Sequence, residues 1–199
     1  MDRGLLGSRE LKKAATRKAL IDAAARLFAE RGVEGTTMDD IARAAGTSRT
    51  SVFNYFGYKE MILCEIGARY VAELSGTAQA SRSRRRTPRA LLLDLVDTLT
   101  GIAERDPVLV AAVAREMTHP DPERRRQASE TIGYGQLVGA ILDSLEESGQ
   151  LRDEGRRQSY ERMLLDMTAG TLVRAGGDFP MERLEDRLAK VDLSPRHDP

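Results

Sequence analysis

Three residues, Ala42, Gly46 and Val52, constrain this chain of 199 residues more than any other feature. They are spaced by four and then six positions, and two short apolar-patterned runs flank the glycine in IARAAGTSRTSVFNYF. Glycine at such a place ends a helix in a left-handed backbone at no steric cost. A small residue four positions earlier lets a second helix cross closely, and an apolar residue six positions later faces back onto the first. The pattern predicts two short helices joined by a tight turn, a helix-turn-helix. Thr37 leads the first of them, because Thr-Met-Asp-Asp is a capping box with Asp40 where Glu is common. Ile41, Ala42 and Ala45 form its inner face. Thr47 or Ser48 caps the second helix. Val52, Phe53 and Phe56 read as its packing side, closing a small core with Leu27 and Phe28.

The rest of the chain also reads as helix. Leu20, Ala24, Leu27 and Phe28 make one stripe of a helix over residues 16–31, ended by Gly32. Ile62, Ile66 and Tyr70 mark a helix from Tyr58 to about Leu74. Residues 75–88, SGTAQASRSRRRTP, have no apolar period and read as a mobile, basic connection. Its arginines and Arg89 suit either solvent or a phosphate backbone. Thr87-Pro88 and Asp106-Pro107 each set a capping residue before a proline at the first helical position. The run from Ala90 to Arg105 is apolar almost all round and reads as a central helix. VLVAAVAREM follows, ended by His119-Pro120. Residues 123–148 read as helix that kinks or restarts among Gly133, Gly135 and Gly139. A last pair is expected over residues 155–175 and 181–191. No alternating strand pattern or internal repeat occurs, so the class is all-α, with about nine helices.

Composition narrows the function. Hydrophobic residues are 41% and charged residues 31% at zero net charge, so a core can form and the whole surface is not a polycation. The charge is uneven: residues 1–60 hold 11 Lys/Arg against 8 Asp/Glu, and residues 1–20 hold 6 against 2. A modestly positive end on a neutral chain suits a localised anionic partner. Cys64 is alone, so no disulfide framework forms within one chain. No apolar run reaches the roughly 18 residues of a membrane span, and the N-terminus does not read as a signal peptide. The expected location is the cytoplasm, with no membrane partner. Two histidines and one cysteine, far apart, offer no metal-ligand spacing. Without a nucleophile motif or a phosphate-binding GxxxxGK[ST] loop, the chain reads as no enzyme, with no cofactor or metal.

The remaining face of the second helix carries the function. Arg49, Thr50, Ser51, Asn54 and Tyr55 lie at or near its outer surface, beside Thr47 and Ser48. Such a helix enters the major groove and reads bases with its N-terminal residues. Arginine donates two hydrogen bonds to guanine, and threonine touches a thymine methyl. Tyr55 and Lys59 stand where hydroxyl and ammonium groups meet phosphate, and Thr37 adds a helix start.

Residues 17–63 resemble the N-terminal DNA-binding domain of the TetR (tetracycline-repressor) family, densely and without gaps. The resemblance rests on Ala24, Leu27, Phe28, Gly32 and Gly35, then Thr37, Ile41, Ala42 and Ala45-Gly46, and finally Ser48, Phe53-x-Tyr55-Phe56 and Lys59-Glu60. Tyr58 departs from it, standing where the family commonly has an N-capping residue. The resemblance implies an all-helical homodimer that binds a palindromic double-stranded DNA operator. It also implies a small-molecule effector, of identity unread here, that shifts the fourth helix and releases DNA. The division expected is residues 1–57 for DNA and residues 58–199 for effector binding and dimerisation. Tyr70, Arg115, Met117, His119 and Tyr134 are candidate effector-binding residues, each equally readable as core or surface. Two alternatives stay open: an inducer-independent architectural or cell-division DNA-binding protein, and a transcriptional activator.

Overall fold

A computed structural model of the chain describes residues 3–149, 151, 157–162 and 164. Eight helices lie among them: α1 (Arg3–Arg31), α2 (Met38–Ala44), α3 (Arg49–Tyr55), α4 (Lys59–Ser83), α5 (Pro88–Arg105), α6 (Pro107–Met117), α7 (Pro122–Ile132) and α8 (Tyr134–Glu147). Residues 157–162 are helical too, and no strand occurs among the described residues. The fold is all-α. Most of the expected pair at 155–175 and 181–191 lies outside the described residues; of it, Tyr160 and Leu164 are buried in the core.

The turn between α2 and α3 forms as its spacing predicts. Thr37 and Asp40 build the capping box, with Asp40 N–H donating to Thr37 Oγ1 at 3.2 Å and Thr37 N–H to Asp40 Oδ2 at 3.1 Å. Gly46 takes φ +66°, so Thr47 N–H reaches Ala42 O at 2.9 Å and Gly46 N–H reaches Arg43 O at 3.2 Å. Those two bonds close the end of α2. Val52 is 0% exposed, against Ile41, Ala42, Leu27 and Phe28 in the same core.

Three expectations need correction. Helix α1 begins at Arg3, well before residue 16. Residues 9–15 are exposed, so they carry no apolar period, but Ala, Leu, Lys and Glu are good helix formers there. Residues 75–83 are the last turns of α4, not a mobile connection. Polar pairs across to α5 hold them: Thr77 and Thr98 hydroxyls lie 2.8 Å apart, and Ser81, 3% exposed, donates to Asp94. A hydrophobic-period reading cannot see such pairs. Helix α5 is one-sided: Leu91, Leu92, Leu95, Val96, Leu99 and Ile102 are buried while Asp97, Gly101 and Glu104 face out. The central element is α4, which packs against α1, α5, α6, α7 and α8.

The helix boundaries follow local chemistry. Thr87 caps α5, its Oγ1 accepting from Ala90 N–H at 3.3 Å. Asp106 precedes α6 but caps nothing with its carboxylate, which takes the Arg105 guanidinium at 2.9 Å instead. Gly133, at φ +77°, breaks what would otherwise be one helix into α7 and α8.

Where α4 crosses α6 and α7, Gly67 permits the contact. A methyl group there would sit 2.9 Å from Val113 Cγ1 and 3.1 Å from Ile132 Cγ1. Charged straps tie α1 to the same helix: Arg17 pairs with Glu65, and Arg69 NH1 lies 2.6 Å from Asp22 Oδ1. Lys18 and then Arg69 hold the Asp22 carboxyl below its ordinary value of 3.8.

Two outcomes are expected. Gly67→Ala overpacks the crossing at a cost of about 1–3 kcal/mol, offset in part by roughly 1 kcal/mol of helix propensity. A denaturation midpoint that stays put or rises would show that Val113 and Ile132 simply move aside. Asp22→Asn costs about 0.5–1 kcal/mol near neutral pH, discounted because the pair is partly exposed and screened. A depressed carboxyl stabilises above its unfolded value and loses that contribution as pH falls through the folded one. The gap between variant and parent in urea titrations should therefore close as pH drops below 3.8.

Candidate functional site

Helix α3 is short, and its orientation is set at both ends. Ser48 is the N-cap, its Oγ accepting from Ser51 N–H at 3.1 Å and lying 2.9 Å from Ser51 Oγ. Val52 and Phe56 turn into the core. One helical step past Val52, a side chain swings about 100° away, and Phe53 accordingly sits 41% exposed, not packed inside as the sequence pattern predicts. Arg49 lies over its ring, guanidinium carbon 5.5 Å from the centroid. The same guanidinium meets Asp39 of α2 at two points, Nε to Oδ1 and NH1 to Oδ2, both 3.2 Å.

Most of the candidate contact residues reach the surface of the unit. Ser48, Arg49, Thr50 and Asn54 are exposed; Thr47, Ser51 and Tyr55 are half-buried. Thr37 stands exposed at the head of α2, its hydroxyl donating to Asp40 at 2.6 Å. That bond, with the backbone one, keeps the Asp40 carboxyl below its ordinary range. Lys59 behaves differently. Its ammonium donates to Val33 O at 2.8 Å and Thr36 O at 3.4 Å, with Glu34 at 3.6 Å. Lys59 therefore clamps the loop in front of α2, and any phosphate contact would share those bonds.

The start of α4 is also tied to the rest of the molecule. Arg124 of α7 grips Glu116 of α6 by two 2.8 Å bonds and lies 3.7 Å from Glu60. Tyr58, a poor capping residue without a side-chain cap bond, sends its hydroxyl to Gln127 of α7. Charge and hydrogen bonds thus join the helix-turn-helix side to α6 and α7.

The five candidate effector residues do not converge. Arg115 is exposed on α6; Met117 packs partly against the core. His119 is half-buried in the α6–α7 turn, Nδ1 accepting from Asp121 N–H at 3.1 Å. Tyr70 is half-buried on α4, and burial together with Asp106 raises its phenol well above the ordinary range. Tyr134, by contrast, lines a cavity. Its hydroxyl donates to Leu164 O at 2.7 Å, beside a void of about 20 Å³ among Leu74, Leu95, Leu99, Leu137 and Ile141.

A larger cleft of about 330 Å³ opens at the other end of α4. Arg82, Arg85 and Arg86 line its rim, and Leu91, Ile141 and Leu145 line its floor. Sequence reading missed this site because it assigned the arginines to a loop. The signal available was the basic run SRSRRR ending immediately before the Thr87-Pro88 helix start.

Cys64 is buried, and that burial pushes its thiol up to about 11, which suits packing more than reactivity. Among the described residues, no cluster of three or more His, Cys, Asp or Glu side chains is placed to hold a metal ion. None of the described helices is long and apolar enough to cross a membrane.

Comparison with known proteins agrees with this geometry. Residues 20–66 match the family model for bacterial regulatory proteins of the tetR family. Residues 68–192 match the model for the C-terminal domain of TetR/AcrR family transcriptional repressors. The chain is 32% identical over 187 residues to the HTH-type transcriptional repressor KstR2 of Rhodococcus jostii, covering 92% of this chain and 89% of that one. It is 33% identical over 187 residues to the repressor AcnR of Corynebacterium efficiens, covering 91% and 93%. A crystal structure of Thermus thermophilus FadR, a TetR-family transcriptional repressor in complex with lauroyl-CoA, superposes with a TM-score of 0.72 at 33% identity, covering 92% of this chain and 97% of that one. With both halves matched and the helix-turn-helix built as described, the chain belongs to the TetR family of transcriptional regulators, which are DNA-binding proteins and not enzymes.

Proposed function

We propose that this regulator is a repressor that binds a palindromic operator as a homodimer and lets go when a small-molecule effector binds. The observation that carries the reading is the division of α3. Val52 is fully buried while Arg49, Thr50 and Asn54 are exposed, Thr50 and Asn54 on the side of the helix away from Val52. A helix held by one face and bare on the other is what major-groove entry needs. Arg49 then exchanges Asp39 for a guanine edge, and the exposed Phe53 ring keeps its guanidinium flat through the exchange. Thr50 and Asn54 read neighbouring bases. Thr37, Ser48 and the Tyr55 hydroxyl meet phosphate.

Residues 1–57 bind DNA and residues 58–199 bind effector and partner copy, in the cytoplasm. Two copies set their α3 helices about 34 Å apart, one turn of duplex. The effector class is an acyl-coenzyme A, in keeping with the similarity to the Thermus thermophilus repressor bound to lauroyl-CoA. Helix α4 is the connecting rod. Its 25 residues span about 37 Å from the DNA-binding unit to the far cleft.

Selection of bound fragments from the source genome tests the reading first. One or a few near-palindromic sites uphold it; many dispersed sites lacking two-fold symmetry favour an architectural role. Arg49→Ala should weaken the selected site by about 1–3 kcal/mol and relax preference at one base position. Equal affinity of variant and parent for that site would remove α3 from the groove. Sedimentation at micromolar concentration should give a dimer; a monomer bound to a full palindrome would contradict the two-fold arrangement.

A further inference from the structure

The corner where α4 meets α5 combines two features seldom found together. It ends α4 with a Schellman turn, Arg85 N–H to Arg82 O at 2.9 Å and Arg86 N–H to Ser81 O at 3.1 Å. The left-handed position of that turn, normally glycine or asparagine, holds Arg85 at φ +50°. Arg85 is the one non-glycine residue with positive φ among the described residues. A side chain kept where it strains the backbone calls for a reason beyond ending a helix.

Charge supplies one. Arg86 is neutralised and fixed by Asp94, NH2 to Oδ1 at 2.8 Å, and Asp94 is itself held by Ser81. Arg82 and Arg85 have no ion pair among the described residues, yet both line the cleft. Complementing the negative end of the α4 dipole accounts for one basic residue in the last turn. It does not account for two unpaired guanidiniums beside a third that is locked in place, all above an apolar floor.

The floor leads inward. Ile141 lines both the 330 Å³ cleft and the 20 Å³ void bounded by Leu74, Leu95, Leu99 and Tyr134. The cleft lies at the lower end of the roughly 300–1,000 Å³ usual for small-molecule sites. The void holds about one water. An apolar chain entering past Ile141 must therefore part α4 from α5 and α8.

We propose that this cleft is the effector's entry and reading site, and that it takes an amphiphile with a phosphate-bearing head and an unbranched apolar tail. The phosphates sit on Arg82 and Arg85, with Arg86 as the fixed wall. The tail runs under Leu91 and past Ile141 into the seam beside Leu74, and its insertion shifts α4. The proposal rests on the effector reading above, but the binding step requires no DNA and is tested without it. An acyl thioester of coenzyme A and a lysophosphatidate share this chemistry.

The test is calorimetric titration of the full chain with lauroyl-CoA, 1-lauroyl-lysophosphatidate, laurate and coenzyme A. Both phosphorylated amphiphiles should bind more tightly than laurate or coenzyme A; whichever of the two binds better identifies the source of the head group, and either preference upholds the site. Arg82→Glu with Arg85→Glu should weaken lauroyl-CoA by at least about tenfold. Arg84→Glu, in the same turn but outside the cleft lining, should change it less than about twofold. Arg85→Gly separates structure from recognition: relief of the left-handed strain should raise the melting temperature by about 2–4 °C, while affinity falls. Laurate or coenzyme A binding as well as lauroyl-CoA would overturn the proposal. So would a loss from Arg84→Glu equal to that of the Arg82→Glu, Arg85→Glu double variant, or an Arg85→Gly variant with unchanged affinity. Arginine-dependent binding that leaves operator affinity untouched upholds the site and removes only the release mechanism.

Discussion

The packing of α4 against its neighbours is the constraint on which everything else in this molecule depends. Ile62, Leu63 and Ile66 bury its first turns beside the helix-turn-helix, and Leu74 buries its middle against α5 and α8. One hydrophobic cluster therefore extends from Phe28 and Val52 to Leu142 without interruption. A close-packed core of this kind has discrete arrangements and does not deform smoothly. A shift at one end of α4 would then reach the other as movement of a rod, which is what the proposed effector mechanism requires.

Polar contacts decide how that rod is held. Arg17–Glu65 and Arg69–Asp22 tie it to α1, and Arg124 with Glu60 and Glu116 ties its start to α6 and α7. Most of these groups are partly exposed, so each pair contributes little stability by itself. Their value lies in direction: charged pairs of fixed geometry, the bidentate Arg124–Glu116 pair above all, restrict rotation and sliding more than apolar contacts do. At the far end the work passes to hydroxyls, Thr77 with Thr98 and Ser81 with Asp94. The rod is thus gripped by ion pairs along its first half and by hydroxyl hydrogen bonds in its last turns, beside the Arg86–Asp94 pair.

Much of the fold and part of the site were legible in the residues. The spacing of Ala42, Gly46 and Val52, the Thr37–Asp40 box and the Ser48 cap depend on backbone geometry within a few positions, and each forms as read. The extension of α1, the last turns of α4 and the one-sidedness of α5 were not legible. In the first, exposed residues leave no apolar period. In the second, the holding contacts are hydroxyls from another helix. In the third, leucines on several faces hide which side meets α4. The cleft at the far end of α4 was missed for a related reason: its arginines lie within five residues of one another and look like a solvated run, and only the turn after Ser83 gathers three of them around Leu91, Ile141 and Leu145.

The sequence alone determined the helical class, the helix-turn-helix and the caps of its two helices, because helix period and capping are local properties of successive side chains. Tertiary structure alone decided that Arg49 rests on Asp39 and Phe53, that Lys59 turns to the α1–α2 loop and that Arg85 stands over an apolar floor. Those outcomes depend on which distant side chains arrive nearby, and period and propensity carry no information about that arrival.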